Sequence, residues 1–180
     1  MVTLVLVAGC GWRHDRAVKH YVTAVALKNS NFDQDALNAL REAVKLDSEF
    51  TMAHSLIGDI QVENGNYQEA ADAYRKTCNI NPWAFSDHLK LGKVYKVLKN
   101  YTDAVTYLGR AYELKPTNPE VNYNLGVVYY ETEDYSQAEQ YCMKAIQLDP
   151  NNPTYSSGLA DIFNKQGDFE KAVSMFERAD

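Results

Sequence analysis

Four alanines, Ala70, Ala104, Ala138 and Ala172, follow one another at intervals of 34 residues. Tyr67, Tyr101, Tyr135 and Phe169 keep the same interval, as do Gly58, Gly92 and Gly126 (with Ala160 next) and Pro82, Pro116 and Pro150. A chain that repeats itself at this length folds as a stack of helical hairpins, because no single hairpin can bury its apolar face alone. Such a stack offers a long surface and little chemistry, which points to a protein that holds another molecule.

The unit from about Phe85 to Pro116 shows why the repeat is helical. Leu91, Val94, Tyr95 and Leu98 fall at three-to-four spacing and predict an amphipathic helix with one buried stripe. Lys99-Asn100-Tyr101 interrupts the pattern, and Ala104, Leu108, Ala111, Tyr112 and Leu114 then mark the inner side of a second helix that Pro116 ends. Asn66 with Glu69, Asn100 with Asp103, and Asp134 with Gln137 have the spacing of capping boxes. Gly92 and Ala104 are small, which lets paired helices approach to about 8–10 Å.

The recurring residues resemble the tetratricopeptide repeat, whose pattern is Trp-x2-Leu-Gly-x2-Tyr, then Ala-x3-Phe, then Pro. Here the copies begin at His54-x2-Ile57-Gly58, His88-x2-Leu91-Gly92, Asn122-x2-Leu125-Gly126 and Ser156-x2-Leu159-Ala160. The resemblance implies an all-α fold, a right-handed α-α superhelix of about four regular hairpins, at 51–84, 85–118, 119–152 and 153–180. A degenerate first hairpin occupies 17–50: Ala36, Leu40 and Ala43 fit its second helix, but Phe32 to Ala36 is one residue longer than Tyr67 to Ala70, which predicts an irregular pair. Solenoids usually end in a polar cap. Val173, Met175 and Phe176 in the last copy read as unshielded, which suggests that the natural chain continues or that this edge self-associates.

Residues 1–16 read as a separate tether. The apolar run ending in Val7-Ala8-Gly9-Cys10 resembles the lipobox of bacterial lipoproteins, which implies acylation at Cys10 and a lipid anchor in the cell envelope, although no basic leader precedes it. Gly11 rather than an aspartate after the cysteine would permit passage to an outer membrane. The net charge of −6 repels a phosphate backbone, so nucleic acid is not an expected partner. Three scattered cysteines make no disulfide framework.

No nucleophile motif, glycine-rich phosphate loop or ligand-spaced Cys/His set occurs, so we expect no catalytic residue, no cofactor and no metal. His54 and His88 stand where the family pattern has tryptophan and read as packing residues, as do Cys78 and Cys142. In tetratricopeptide proteins the first helix of each pair lines a concave groove that binds extended or helical segments. Carried over by position, that groove comprises Met52, Leu56 and Asp59, then Leu89, Lys90, Lys93 and Lys96, then Tyr123, Asn124, Val127 and Tyr130, with Thr154, Asp161 and Lys165 beyond. Asn124 matches an asparagine that in relatives bonds the ligand backbone, and Tyr123 and Tyr130 are aromatic anchors of the kind that dominate interfaces. The three lysines favour an acidic protein or peptide, while Asp59, Glu63, Glu120 and Glu131 on flanking helices are candidates to pair with them weakly. The carboxylate clamp of chaperone-binding relatives is absent: its places hold Leu89, Lys93, Asn124, Thr154 and Gly158. The expected function is a non-catalytic scaffold, lipid-anchored and assisting assembly of an envelope complex, as small pilus-assembly lipoproteins do. The alternative is a targeting or regulatory arm of a larger enzyme or a cytoplasmic assembly.

Overall fold

In the computed structural model the backbone is described for residues 2–179 and the side chains for residues 12–178, so the expected acylation residue Cys10 lies outside the described residues at side-chain level. Among the described residues there are ten helices and no strand. They are α1 (Val2–Asn29), α2 (Asp33–Leu46), α3 (Thr51–Glu63), α4 (Tyr67–Ile80), α5 (Phe85–Val97), α6 (Tyr101–Leu114), α7 (Pro119–Glu131), α8 (Tyr135–Leu148), α9 (Pro153–Gln166) and α10 (Phe169–Ala179). They form two compact units, Met1–Asp87 and His88–Asp180.

The turn inside each hairpin is the most regular feature of the chain. Asn31, Gly65, Lys99, Glu133 and Gly167 all adopt positive φ, between 57° and 82°, and each stands 34 residues from the next. One residue later the backbone N–H reaches five positions back, from Phe32 to Leu27, Asn66 to Gln61, Asn100 to Tyr95, Asp134 to Tyr129 and Asp168 to Phe163, at 2.8–3.0 Å. This is the Schellman closure of a helix C-terminus, in which a left-handed residue turns the chain so that the orphan carbonyls find donors. Glycine fills that place at Gly65 and Gly167 without strain; Lys99 and Glu133 hold it at a steric cost that the closure offsets.

The same register corrects two expectations. The first hairpin carries no extra residue: α2 starts at Asp33, 34 residues before α4 starts at Tyr67. Phe32 is the N-cap of α2, equivalent to Asn66, and not a displaced Tyr67. Of the three expected capping boxes, Asn100 and Asp134 do accept the backbone N–H of Asp103 and Gln137. Asn66 makes no such bond; its amide nitrogen donates to Gln61 Oε1 at 2.9 Å.

In the first unit the core gathers Ala17 and Ala24 of α1, Leu37 and Leu40 of α2, and Ala53 and Ile60 of α3. In the second, Ala138, Cys142 and Ile146 of α8 meet Leu159, Ile162 and Phe163 of α9. Close approach explains the recurring glycines. A Cβ on Gly92 would lie 2.5 Å from Leu108 Cγ, and one on Gly126 would lie 2.5 Å from Cys142 Sγ and 3.2 Å from the Ala138 carbonyl. At the far end Phe169, Val173 and Phe176 lie exposed along α10, whereas Met175, expected on that bare side, packs against the α8–α9 cluster. Helical spacing puts residues 172 and 175 on the inner stripe and 169, 173 and 176 on the outer one.

Candidate functional site: the first-helix face of the second unit

Positions 93 and 96 of α5 recur one repeat later as 127 and 130 of α7, so equal steps along equal helices place Lys93, Lys96, Val127 and Tyr130 at one register. Lys93 and Lys96 both reach toward α7. Lys93 Nζ lies 2.6 Å from Glu120 Oε1, with both side chains nearly half exposed. Lys96 Nζ donates to Asn124 Oδ1 at 2.6 Å, and Asn124 Nδ2 donates to the Glu120 carbonyl at 2.8 Å.

These bonds change how the lysine run reads. The ammonium of Lys93 is neutralised by a rim ion pair, worth at most about 1 kcal/mol. Lys96 instead is partly buried and bonded to a neutral amide. Burial first, and then the charge of Lys93, push its pKa below the usual lysine value, while Glu120 and Glu131 act in the opposite sense. Lys90 is only partly exposed, and Leu89 is buried at 7% exposure and contributes packing to this face. Asn124 is also buried, at 4%, with both ends of its amide engaged. A ligand would reach it only by displacing Lys96.

The tyrosines of this face are packed against neighbouring rings. Tyr123 packs on Tyr155 of α9 with ring centroids 4.9 Å apart, and a Cβ on Gly158 would meet its ring at 2.7 Å. Burial raises the pKa of the Tyr123 phenol. Tyr130 meets Tyr135 edge-on at 5.9 Å, and Val127 is half-buried beside them. Rings fixed in this way lose little side-chain entropy when a partner covers them. Leu56 belongs to the first unit, where it is partly buried and lines a cleft of about 240 Å³ with Met52, Ser55 and Asp59. There Asp59 Oδ1 accepts the Tyr74 hydroxyl at 2.7 Å.

The place where the family pattern has tryptophan holds His54, His88, Asn122 and Ser156, all at most 6% exposed. His54 Nε2 lies 3.0 Å from the Ser48 carbonyl, and Asn122 Nδ2 donates to the equivalent Pro116 carbonyl at 3.0 Å and to the Asn118 carbonyl at 2.8 Å. The polar side chain thus ties the start of the first helix to the turn before it. The ring of His88 stacks on Tyr107 at 6.0 Å. Cys78 and Cys142 are free thiols, buried, and burial pushes each up to about 12. Burial thus disfavours the thiolate at both.

A tetratricopeptide repeat family model matches residues 98–162 and 133–180, and a second model of the same description matches residues 23–82. Comparison with curated proteins gives no match. Among solved structures, MamA of Desulfovibrio magneticus RS-1 superposes with a TM-score of 0.87 at 22% identity, covering 92% of this chain and 93% of that one. YrrB, described as a TPR protein with an unusual peptide-binding site, gives 0.81 at 24% identity, with 91% and 84% covered. The pilF protein of Pseudomonas aeruginosa gives 0.75 at 21% identity, with 93% and 78% covered. At these identities the likeness is one of fold, and that fold is the all-α tetratricopeptide solenoid.

Proposed function

The chain belongs to the tetratricopeptide repeat family, and from that premise we propose that it is a non-catalytic scaffold that grips a segment of a partner protein on its first-helix faces. The segment is acidic, and the scaffold is held at a bacterial cell envelope by a lipid on Cys10, where it assists assembly of a complex. The observation that carries the binding reading is the state of Lys96: a partly desolvated ammonium resting on a neutral amide beside a second cation. A carboxylate delivered there supplies the counter-charge that Asn124 does not: the present bond has only its donor charged, and an acid makes both partners charged. Val127, Tyr123 and Tyr130 offer apolar contact beside it. The anchor reading rests on the sequence Val7-Ala8-Gly9-Cys10 alone.

Affinity capture from native envelope extract tests the scaffold. Wild type should retain a defined partner, and Lys90→Glu with Lys93→Glu should weaken that capture without altering helicity. Equal capture by the double variant refutes the basic face. Mass spectrometry of the native protein tests the anchor: a diacylglyceryl cysteine at position 10 is expected, and an unmodified chain starting at Met1 removes it from the proposal.

A further inference from the structure

The second helices of the second unit carry a surface that this reading leaves unused. A groove of about 360 Å³ opens between α6 and α8, walled by Tyr112, Tyr141 and Lys144. The residues 34 positions on, Ile146, Met175 and Arg178, wall a groove of about 280 Å³ between α8 and α10. Gln137 and Gln140 of the first likewise become Lys171 and Ser174 of the second. The repeat therefore builds one groove twice, with a cation at the same corner each time, and among the described residues no carboxylate lines either copy. In a chain of net charge −6 both linings are cationic, with Lys171 of the second already paired to Asp168 at 2.7 Å.

The two copies differ in what they offer besides charge. The α8–α10 groove is apolar, floored by Leu159 and Phe163. The α6–α8 groove is polar and rigid, because Tyr141 stacks on Tyr129 at 5.5 Å and meets Tyr112 edge-on at 5.8 Å. Its lining includes Asn122, wholly buried, whose Oδ1 has no hydrogen-bond partner. That acceptor is enclosed, so what this groove offers a partner is Tyr112, Tyr141 and Lys144.

We propose that these paired grooves dock an acidic, extended segment of a partner protein, with carboxylates at Lys144 and Arg178 and one apolar side chain in the α8–α10 groove. Helices in neighbouring repeats lie on the order of 10 Å apart, so at about 3.3 Å per extended residue the two acids stand about three residues apart. This surface is independent of the first-helix face, and either can fail alone.

The test is a peptide array carrying hexamers with one Leu, Phe or Trp and two Asp or Glu at every spacing, beside the same array with Lys for the acids. The purified 180-residue chain should bind acidic spots, best at a spacing of about three, and ignore the basic ones. Lys144→Glu with Arg178→Glu, both at exposed positions, should lower that binding by about tenfold or more, while Lys90→Glu with Lys93→Glu retains it. Binding that survives the Lys144/Arg178 reversal, or no bound acidic spot, overturns the proposal. A dimer in light scattering that the same reversal abolishes also overturns it, since the occupant is then a second copy of this chain.

Discussion

Gly126 and Gly109 offer a test of whether helix approach, rather than backbone freedom, places glycine in the repeat. Both lie inside helices, α7 and α6, within the same unit. Replacing either with alanine removes the same unfolded-state entropy, a gain of about 0.5–1 kcal/mol. A Cβ on Gly109 meets nothing within 4 Å, so Gly109→Ala should keep that gain. A Cβ on Gly126 lies 2.5 Å from Cys142 Sγ and 3.2 Å from both the Ala138 carbonyl and the Cys142 amide nitrogen. Two of those three atoms are backbone, so α7 and α8 must separate, and overpacking of this kind costs about 1–3 kcal/mol. The two variants should therefore differ by about 1–3 kcal/mol, or about 2 °C or more in melting temperature for a chain of this size. Urea and thermal unfolding followed by far-ultraviolet ellipticity read the difference, and hydrogen exchange at α7 and α8 amides localises it. Adding Cys142→Ala removes the nearest clashing atom, so the double variant should recover part of the loss and show a coupling of about 1 kcal/mol. Equal stability of Gly109→Ala and Gly126→Ala would refute the steric account.

Asn122→Leu leaves the Pro116 carbonyl without its side-chain donor, while the Asn118 carbonyl keeps the backbone N–H of residue 122; a loss of about 1–3 kcal/mol is expected, read by urea unfolding, with faster exchange confined to the start of α7. Cys142 should contribute a slope at alkaline pH. Its thiol is raised from 9.0 to about 12 in the folded chain, so between those values the unfolded state loses a proton that the folded state keeps. Stability is then full below about pH 9 and falls as pH rises through the interval, by about 1.4 kcal/mol per unit for this group. Cys142→Ala should flatten the stability-against-pH curve by that slope, and an unchanged curve contradicts the burial. Lys93→Ala breaks only a half-exposed ion pair, so its effect on melting should correspond to less than about 1 kcal/mol.

The fold was legible in the sequence because a 34-residue interval fixes helix length, turn and packing together. Ala104, Leu108 and Ala111, expected on an inner stripe, are wholly buried. The turn itself was harder to read, because its left-handed residue is Asn31, Gly65, Lys99, Glu133 or Gly167, with no shared chemistry. Counting 34 back from Gly65 and Gly167 would have found the others and shown the first hairpin to be in register.

The candidate face was legible only as a set of positions. Leu89 and Asn124 occupy groove places in the family pattern, yet both are buried, and nothing in a linear pattern reports that Lys96 spans 28 residues to hold Asn124. The reason is physical. Periodicity places a side chain on a helix face, but whether a long cation stands in solvent or lies across the neighbouring helix depends on what that helix presents one repeat later. Here the neighbour presents Glu120 to Lys93 and an amide to Lys96, so two adjacent lysines of like sequence environment acquire opposite roles. The first is a satisfied rim charge. The second remains short of a counter-ion, and on this face it is where an acidic partner gains most.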